Sequence, residues 1–211
     1  MMGKTHLFVG AATALAFTRP DTPEGCVTAM IGGALGGIIS DIDMHDNRTK
    51  KDALYARMFV LGLIAVTLLT GKGEPNGIVA EFSSSLDRTT VMGAGLFILL
   101  CIFGVLQPHR KFTHSVIAAA AYSASVGMMY MPLCIPFAAG IVSHIAIDML
   151  NKKKLQLFWP LKTGVGFNLC YSNKLADKLF LIAGVAATAY FAGMPLFVAY
   201  KDEIMQLLDK F

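Results

Sequence analysis

Charged residues are scarce in this chain, at 15% of 211 residues. A soluble domain carries about a quarter, so there are too few ionic groups here to keep a globular surface in water. Tryptophan occurs once. The cysteines Cys26, Cys101, Cys134 and Cys170 contain no CxxC pair and fall mostly in apolar runs, where a thiol behaves as a small hydrophobe. That excludes a disulfide framework and a thiolate metal site. Gly3-Lys4-Thr5 resembles the tail of a phosphate-binding P-loop, but the upstream glycine and the preceding strand are missing, so that reading fails.

Apolar residues are abundant instead, at 55%. They gather into the runs Leu7 to Phe17, Cys26 to Ser40, Met58 to Thr70, Val91 to Leu106, Val116 to Met131, Leu133 to Leu150 and Leu179 to Tyr200, separated by charges and prolines. Backbone polar groups must be satisfied internally in lipid, so helices are expected for all of them. Several runs are shorter than the ~20 residues needed to cross the hydrocarbon. The expected fold is therefore all-α, a single membrane-embedded domain over residues 1–211 with about five to seven apolar helices in a polytopic bundle, some of them short. Met1 to Phe17 also has the outline of a secretory signal peptide, but His6 inside it belongs with the later histidines. Gly32, Gly33, Gly36 and Gly37 form overlapping small-xxx-small patterns, which predict close helix packing.

With the seven runs alternating sides, one face collects Lys4, Arg48, Lys50, Lys51, Arg57, Arg110, Lys111, Lys152 to Lys154, Lys162, Lys174 and Lys178. That is 13 of the 18 basic residues. Arg19, Lys72, Arg88, Lys201 and Lys210 lie opposite. The positive-inside bias then makes the richer face cytoplasmic, with Trp159 and Tyr171 suited to an interfacial loop there.

All five histidines fall on that same face: His6 opens the first run, His45 follows Asp41 and Asp43 at the end of the second, His109 and His114 precede the fifth, and His144 with Asp148 closes the sixth. Random placement would put five on one side about one time in sixteen. His144 and Asp148 are four apart, hence on one helix face and able to share an ion. A carboxylate at that depth needs a partner or a metal. Asp41 and Asp43 flank Ile42, so an extended segment would point both carboxylates one way. His109 and His114 are too far round to share a helix face; His109 is expected in the loop, Thr113 near the helix cap and His114 in the first turn. Taken singly, His6 can be an interfacial polar residue, the aspartates can cap a turn, and Arg110, Lys111 and Lys152 to Lys154 can be topology anchors. Such readings leave unexplained why distant helix ends supply the same ligand-type residues. Together they form an N/O donor set suited to zinc or, second, manganese, as one ion or two.

The segments Thr5-His6-Leu7, Asp41-Ile42-Asp43, His109-Arg110-Lys111-Phe112-Thr113-His114-Ser115, Ser143-His144 with Asp148, and Leu157-Phe158-Trp159-Pro160-Leu161 resemble, in this order, the LexA-binding, inner-membrane-associated hydrolase family (YdjM-like, membrane-bound metal-dependent hydrolases). The resemblance runs from His6 to about Leu161. It implies His6, Asp41, Asp43, His109, His114, His144 and Asp148 as metal ligands or their neighbours. The hydrolase label rests on motif similarity to zinc-dependent phospholipase C-like proteins. Ser40 stands where the family has proline, Met44 separates His45 from the aspartates, and Lys111 and the Asn151 to Lys154 run replace glycines. These departures bear on the substrate entrance more than on the metal site.

The expected activity is hydrolysis of a phosphoester on a lipid or lipid-linked phosphate at the cytoplasmic headgroup level. Asp43 or Asp148 would act as general base, Arg110 would hold a phosphate oxygen, and Thr113 and Ser115 would orient imidazoles. Nucleic acid is not an expected partner. The alternatives are a metal or proton transporter, whose site tends towards the midplane, and a scaffold whose metal only staples helices. Single cysteines at Lys153 and at Ser84, in a background lacking the native four, should label from opposite sides, with Lys153 cytoplasmic. Protection of Ser84 from an external impermeant reagent, with Lys153 reactive, would invert the topology.

Overall fold

The structure, a computed structural model, describes residues 2–44, 88–170 and 174–208. The run Met58 to Thr70, His45, Ser84 and Tyr171 lie outside the described residues. Within them are six α-helices: α1 (Gly3–Thr18), α2 (Pro23–Ile39), α3 (Arg88–Leu106), α4 (Val116–Met129), α5 (Met131–Met149) and α6 (Leu175–Leu208). Two 3-10 turns, Ser40–Asp43 and Phe112–His114, accompany them. There is no strand among the described residues, only an isolated bridge between Asn151 and Cys170.

The protein is an all-α polytopic membrane protein. Among the described residues four helices are long and apolar enough to cross a bilayer: Pro23–Asp43, Arg88–Leu106, Met131–Met149 and Leu175–Pro195, with Val116–Met129 a shorter apolar helix. Every apolar run within the described residues became a helix, and local chemistry set the ends. Thr22 accepts from Gly25 N–H (3.1 Å), and Pro23 follows it at the first helical position, where a missing N–H costs nothing. Arg19 closes α1 in the left-handed region (φ 44°), its N–H bonded to Leu15 O at 2.9 Å.

The chain divides into two compact units, described separately. One comprises Met1–Ile38, Ile135–Lys154 and Val165–Phe211. Its helices approach through glycine. A Cβ added at Gly33 would run into Gly10 O and Ala14 Cβ, one at Gly37 into His6 O, and one at Gly36 into Phe137 O. The small-xxx-small patterns are thus a packing seam, contacted by α1 on one side and α5 on the other. On α6, Thr188 donates to Phe8 O at 3.1 Å, and Gly184 lies against Val9. Leu15, Cys26, Ala29 and Ala192 form a small apolar cluster there.

The second unit comprises Ile39–Cys134 and Leu155–Gly164. Its α3 and α4 meet through Phe97 against Tyr122 (ring centroids 5.7 Å) and the bond from Tyr122 Oη to Leu100 O (2.8 Å). Gly93 sits under Met128 and Ser125 O. Near the end of α3, Gly104 leaves room for the Thr113 methyl and the Tyr122 hydroxyl.

The seam is directly testable. Gly37→Ala forces a methyl into the carbonyl of His6, an overpacking worth about 1–3 kcal/mol, and should lower the thermal midpoint in detergent. Gly95 has nothing within 4 Å of an added Cβ, so Gly95→Ala should be neutral within about 0.5 kcal/mol. Equal midpoints for the two variants would refute the seam.

Candidate functional site

In the first unit His6, His144 and Asp148 converge, each offering one ligand atom within 4.8 Å of the others, and all three are buried. His6 lies in the first turns of α1 and the other two lie in the last turns of α5. The imidazoles of His6 and His144 are stacked, with centroids 3.8 Å apart and planes at 22°. His144 Nδ1 lies 2.6 Å from Gly37 O. A carbonyl can only accept, so Nδ1 carries the proton and Nε2 keeps the lone pair. Asp148 Oδ1 accepts from Asn151 Nδ2 at 3.0 Å and lies 3.3 Å from His6 Nε2. Neither ring nitrogen of His6 makes a hydrogen bond among the described residues, although both are buried. Leaving a buried polar atom unsatisfied costs about 1–3 kcal/mol.

In the second unit Asp43, His109 and His114 form another such group, again with ligand atoms within 4.8 Å. His109 Nδ1 lies 2.7 Å from Asp43 Oδ1, and Thr113 Oγ1 donates to Asp43 Oδ2 at 2.6 Å. Thr113 Oγ1 is also 2.9 Å from His114 Nδ1. A hydroxyl has one proton, already given to the carboxylate, so it accepts from His114 Nδ1–H. Each imidazole is therefore held through Nδ1, which puts the ring's lone pair on Nε2. Asp41 Oδ1 stands 3.9 Å from His114 Nε2, too far for a hydrogen bond. Two donors, each about 2.0–2.2 Å from a zinc ion, are separated by up to about 4 Å, so this pair has room for a cation between them. His109 is 32% exposed, whereas Asp43 and His114 are buried.

These donor sets suit a divalent metal. Imidazole nitrogens with settled tautomers, buried carboxylates and the unbonded nitrogens of His6 are what such an ion would satisfy.

Several local expectations change. Asp41 and Asp43 lie in a 3-10 turn rather than an extended segment, because α2 tightens at its C-terminus, and the whole of Ser40–Asp43 is buried. Thr113 lies near the cap of α4, which is Ser115: its Oγ accepts from Ala118 N (3.1 Å) and donates to Phe112 O (2.7 Å). Both of these Ser115 bonds thus go to backbone rather than to an imidazole. His114 sits in the 3-10 turn before α4, because Ser115 with extended backbone separates the turn from the helix. Arg110 adjoins His109 with φ 70°, and its carbonyl accepts from Gln156 N–H at 3.0 Å. Ser40 Oγ is buried and makes no hydrogen bond among the described residues.

Sequence reasoning missed two supporting residues. Asn151 orients Asp148. Asp177, buried in the first turn of α6, accepts from Thr5 Oγ1 (2.8 Å) and Met2 N (3.2 Å), tying down the turn that carries His6. An aspartate in a first helical turn reads as ordinary charge–dipole pairing, so its sequence signal was masked. For Asn151 the signal was its spacing, three after Asp148.

The class these observations define is a polytopic membrane protein with buried histidine–carboxylate groups able to hold metal. The chain belongs to the YdjM inner membrane protein family, whose model matches residues 1–206, and it is an integral inner membrane protein. No curated protein and no solved structure matches it.

Purified protein should retain transition metal in elemental analysis. His144→Ala and Asp148→Ala should lose it and melt earlier, since ligand binding is coupled to folding. Thr113→Val keeps the shape but removes the hydroxyl linking Asp43 to His114, and should weaken metal affinity about 10–100-fold. A well-folded wild type that stays equally stable and metal-free in chelator would refute a resident ion.

Proposed function

We propose that this protein is a metal-dependent hydrolase of the inner membrane, cleaving a phosphoester of a lipid or lipid-linked phosphate at the cytoplasmic headgroup level. The observation that carries the reading is the His109–Asp43 pair: a partly exposed imidazole whose Nδ1 is held by a buried carboxylate. Both oxygens of Asp43 are engaged by hydrogen-bond donors, so the base is better assigned to His109 Nε2 than to the carboxylate itself.

Hydrolysis forms a bond between water oxygen and phosphorus and breaks the bond to the leaving alkoxide. His109 Nε2 takes the water proton, and Asp43 stabilises the imidazolium and keeps the ring oriented. The proton can then pass to the leaving oxygen. Arg110, next to His109, offers a planar fork to the non-bridging oxygens as they gain charge. His6, His144 and Asp148 in one unit, and Asp41 with His114 in the other, are the residues that would hold metal. A divalent ion bound there supplies Lewis acidity and lowers the pKa of water. Zinc matches the donors best, with manganese next.

Depth supports hydrolysis over transport. Each ligand-type residue lies within about two turns of a helix end or in a turn beside one, whereas transport sites tend towards the midplane. The cytoplasmic orientation rests on the basic-residue bias.

Phosphate release from lipid-phosphate substrates should require metal and stop in chelator. Arg110→Lys keeps the charge but loses the fork, so turnover should fall roughly tenfold or more with bound metal unchanged. His109→Gln should reduce turnover by about 10²–10⁴-fold. His114→Ala should remove metal and activity together. If wild type cleaves no phosphoester yet moves metal across vesicles, the transporter reading replaces this one.

A further inference from the structure

The segment 155–164 lies outside every membrane-spanning helix, yet it exposes large apolar side chains. Phe158 is 53% exposed and Leu161 62%. A solvated loop would not ordinarily present two such groups three residues apart beside a tryptophan.

Nor is the segment loosely attached. Leu155 is fully buried. Gln156 N–H bonds to Arg110 O (3.0 Å), and Leu157 O accepts from Val116 N–H (3.0 Å), so two backbone bonds seat it on either side of the His109–Ser115 stretch. Within it, Trp159 N–H bonds to Gln156 O (3.2 Å) and Leu161 N–H to Phe158 O (2.9 Å). Trp159 packs edge-on against Phe112 (centroids 5.3 Å) and Phe103 (6.0 Å).

Phe103 belongs to the last turn of α3, a membrane-spanning helix. Its neighbours Ile102 and Leu106 are exposed, as are Val116 and Ile117 at the start of α4. The apolar side chains of the segment therefore continue a surface that already faces lipid, at the level where the two helices end. Lys162 is exposed just beyond Leu161, and Lys111 is half-exposed on the stretch to which the segment is bonded. Aromatic and aliphatic groups flanked by lysine match the boundary between acyl chains and anionic headgroups.

We infer that residues 155–164 are a fixed membrane foot: Phe158, Trp159 and Leu161 insert at the headgroup–hydrocarbon boundary of the bilayer, beside the His109–His114 turn. Its partner is the lipid surface. Because the foot is hydrogen-bonded to Arg110 and Val116, its depth sets the depth of the Asp43–His109–His114 group. A phosphate at headgroup level then lies within reach of His109 without leaving the bilayer. This inference goes beyond the proposed hydrolysis and stands or falls independently of it.

Trp159 is the chain's one tryptophan, so the intact wild-type protein carries its own depth probe. Reconstituted into vesicles of phosphatidylcholine and phosphatidylglycerol, its fluorescence should be quenched more by lipids brominated near the headgroup end of the acyl chain than by those brominated near the terminal methyl. Aqueous iodide should cause less loss than either kind of lipid. Strong iodide quenching with little loss to brominated lipid would place the segment in water and overturn the inference. So would greater quenching by the deep bromine. The readout needs neither bound metal nor turnover, so a failed hydrolase assay leaves it intact.

Discussion

Burying imidazole and carboxylate among apolar helices is the constraint on which the other features depend. An ionisable group in such surroundings must be paired, hydrogen-bonded or bound to metal, or it destabilises the fold. Several of the buried groups answer in a recognisable way. His144 gives its Nδ1 proton to a helix carbonyl, and Thr113 lies between Asp43 and His114 with one donated and one accepted bond. Asp148 takes the amide of Asn151. At His6 both nitrogens are buried and neither is hydrogen-bonded among the described residues, while Nε2 lies 3.3 Å from Asp148 Oδ1.

The glycine seam serves the same constraint. Stacking the His6 ring on His144 requires α1 and α5 to approach α2 closely. Larger residues at Gly33, Gly36 or Gly37 would hold the backbones apart and separate the imidazoles. Packing and chemistry are in this sense a single problem, and the absence of side chains along one stripe of α2 positions the side chains of its neighbours. In the other unit, Gly104 does a similar service by admitting Thr113.

Holding imidazoles through Nδ1 recurs at His109, His114 and His144, with three different partners: a carboxylate, a hydroxyl and a backbone carbonyl. The shared result is a fixed tautomer with the lone pair of each ring on Nε2. That is the arrangement a metal or a proton in transit requires, since an imidazole free to flip offers its lone pair only part of the time.

Composition and periodicity alone were enough to determine that the chain enters a membrane as helices, and where the described ones run. Lipid offers the backbone no other partner, so an apolar run such as Val91 to Leu106 had one outcome, α3. The meeting of histidine and aspartate was legible in part, because a histidine four before an aspartate places both side chains on one helix face. Local backbone at the ends of those helices was not. The 3-10 turn at Ser40–Asp43 and the cap at Ser115 depend on competition between carbonyls and nearby side chains, which spacing does not reveal. Nor could the sequence show that Asp177 acts as a support, or which nitrogen of His109, His114 and His144 bears the proton. Those follow from hydrogen bonds between groups as much as 175 residues apart, and only the tertiary structure brings such groups within hydrogen-bonding distance of one another.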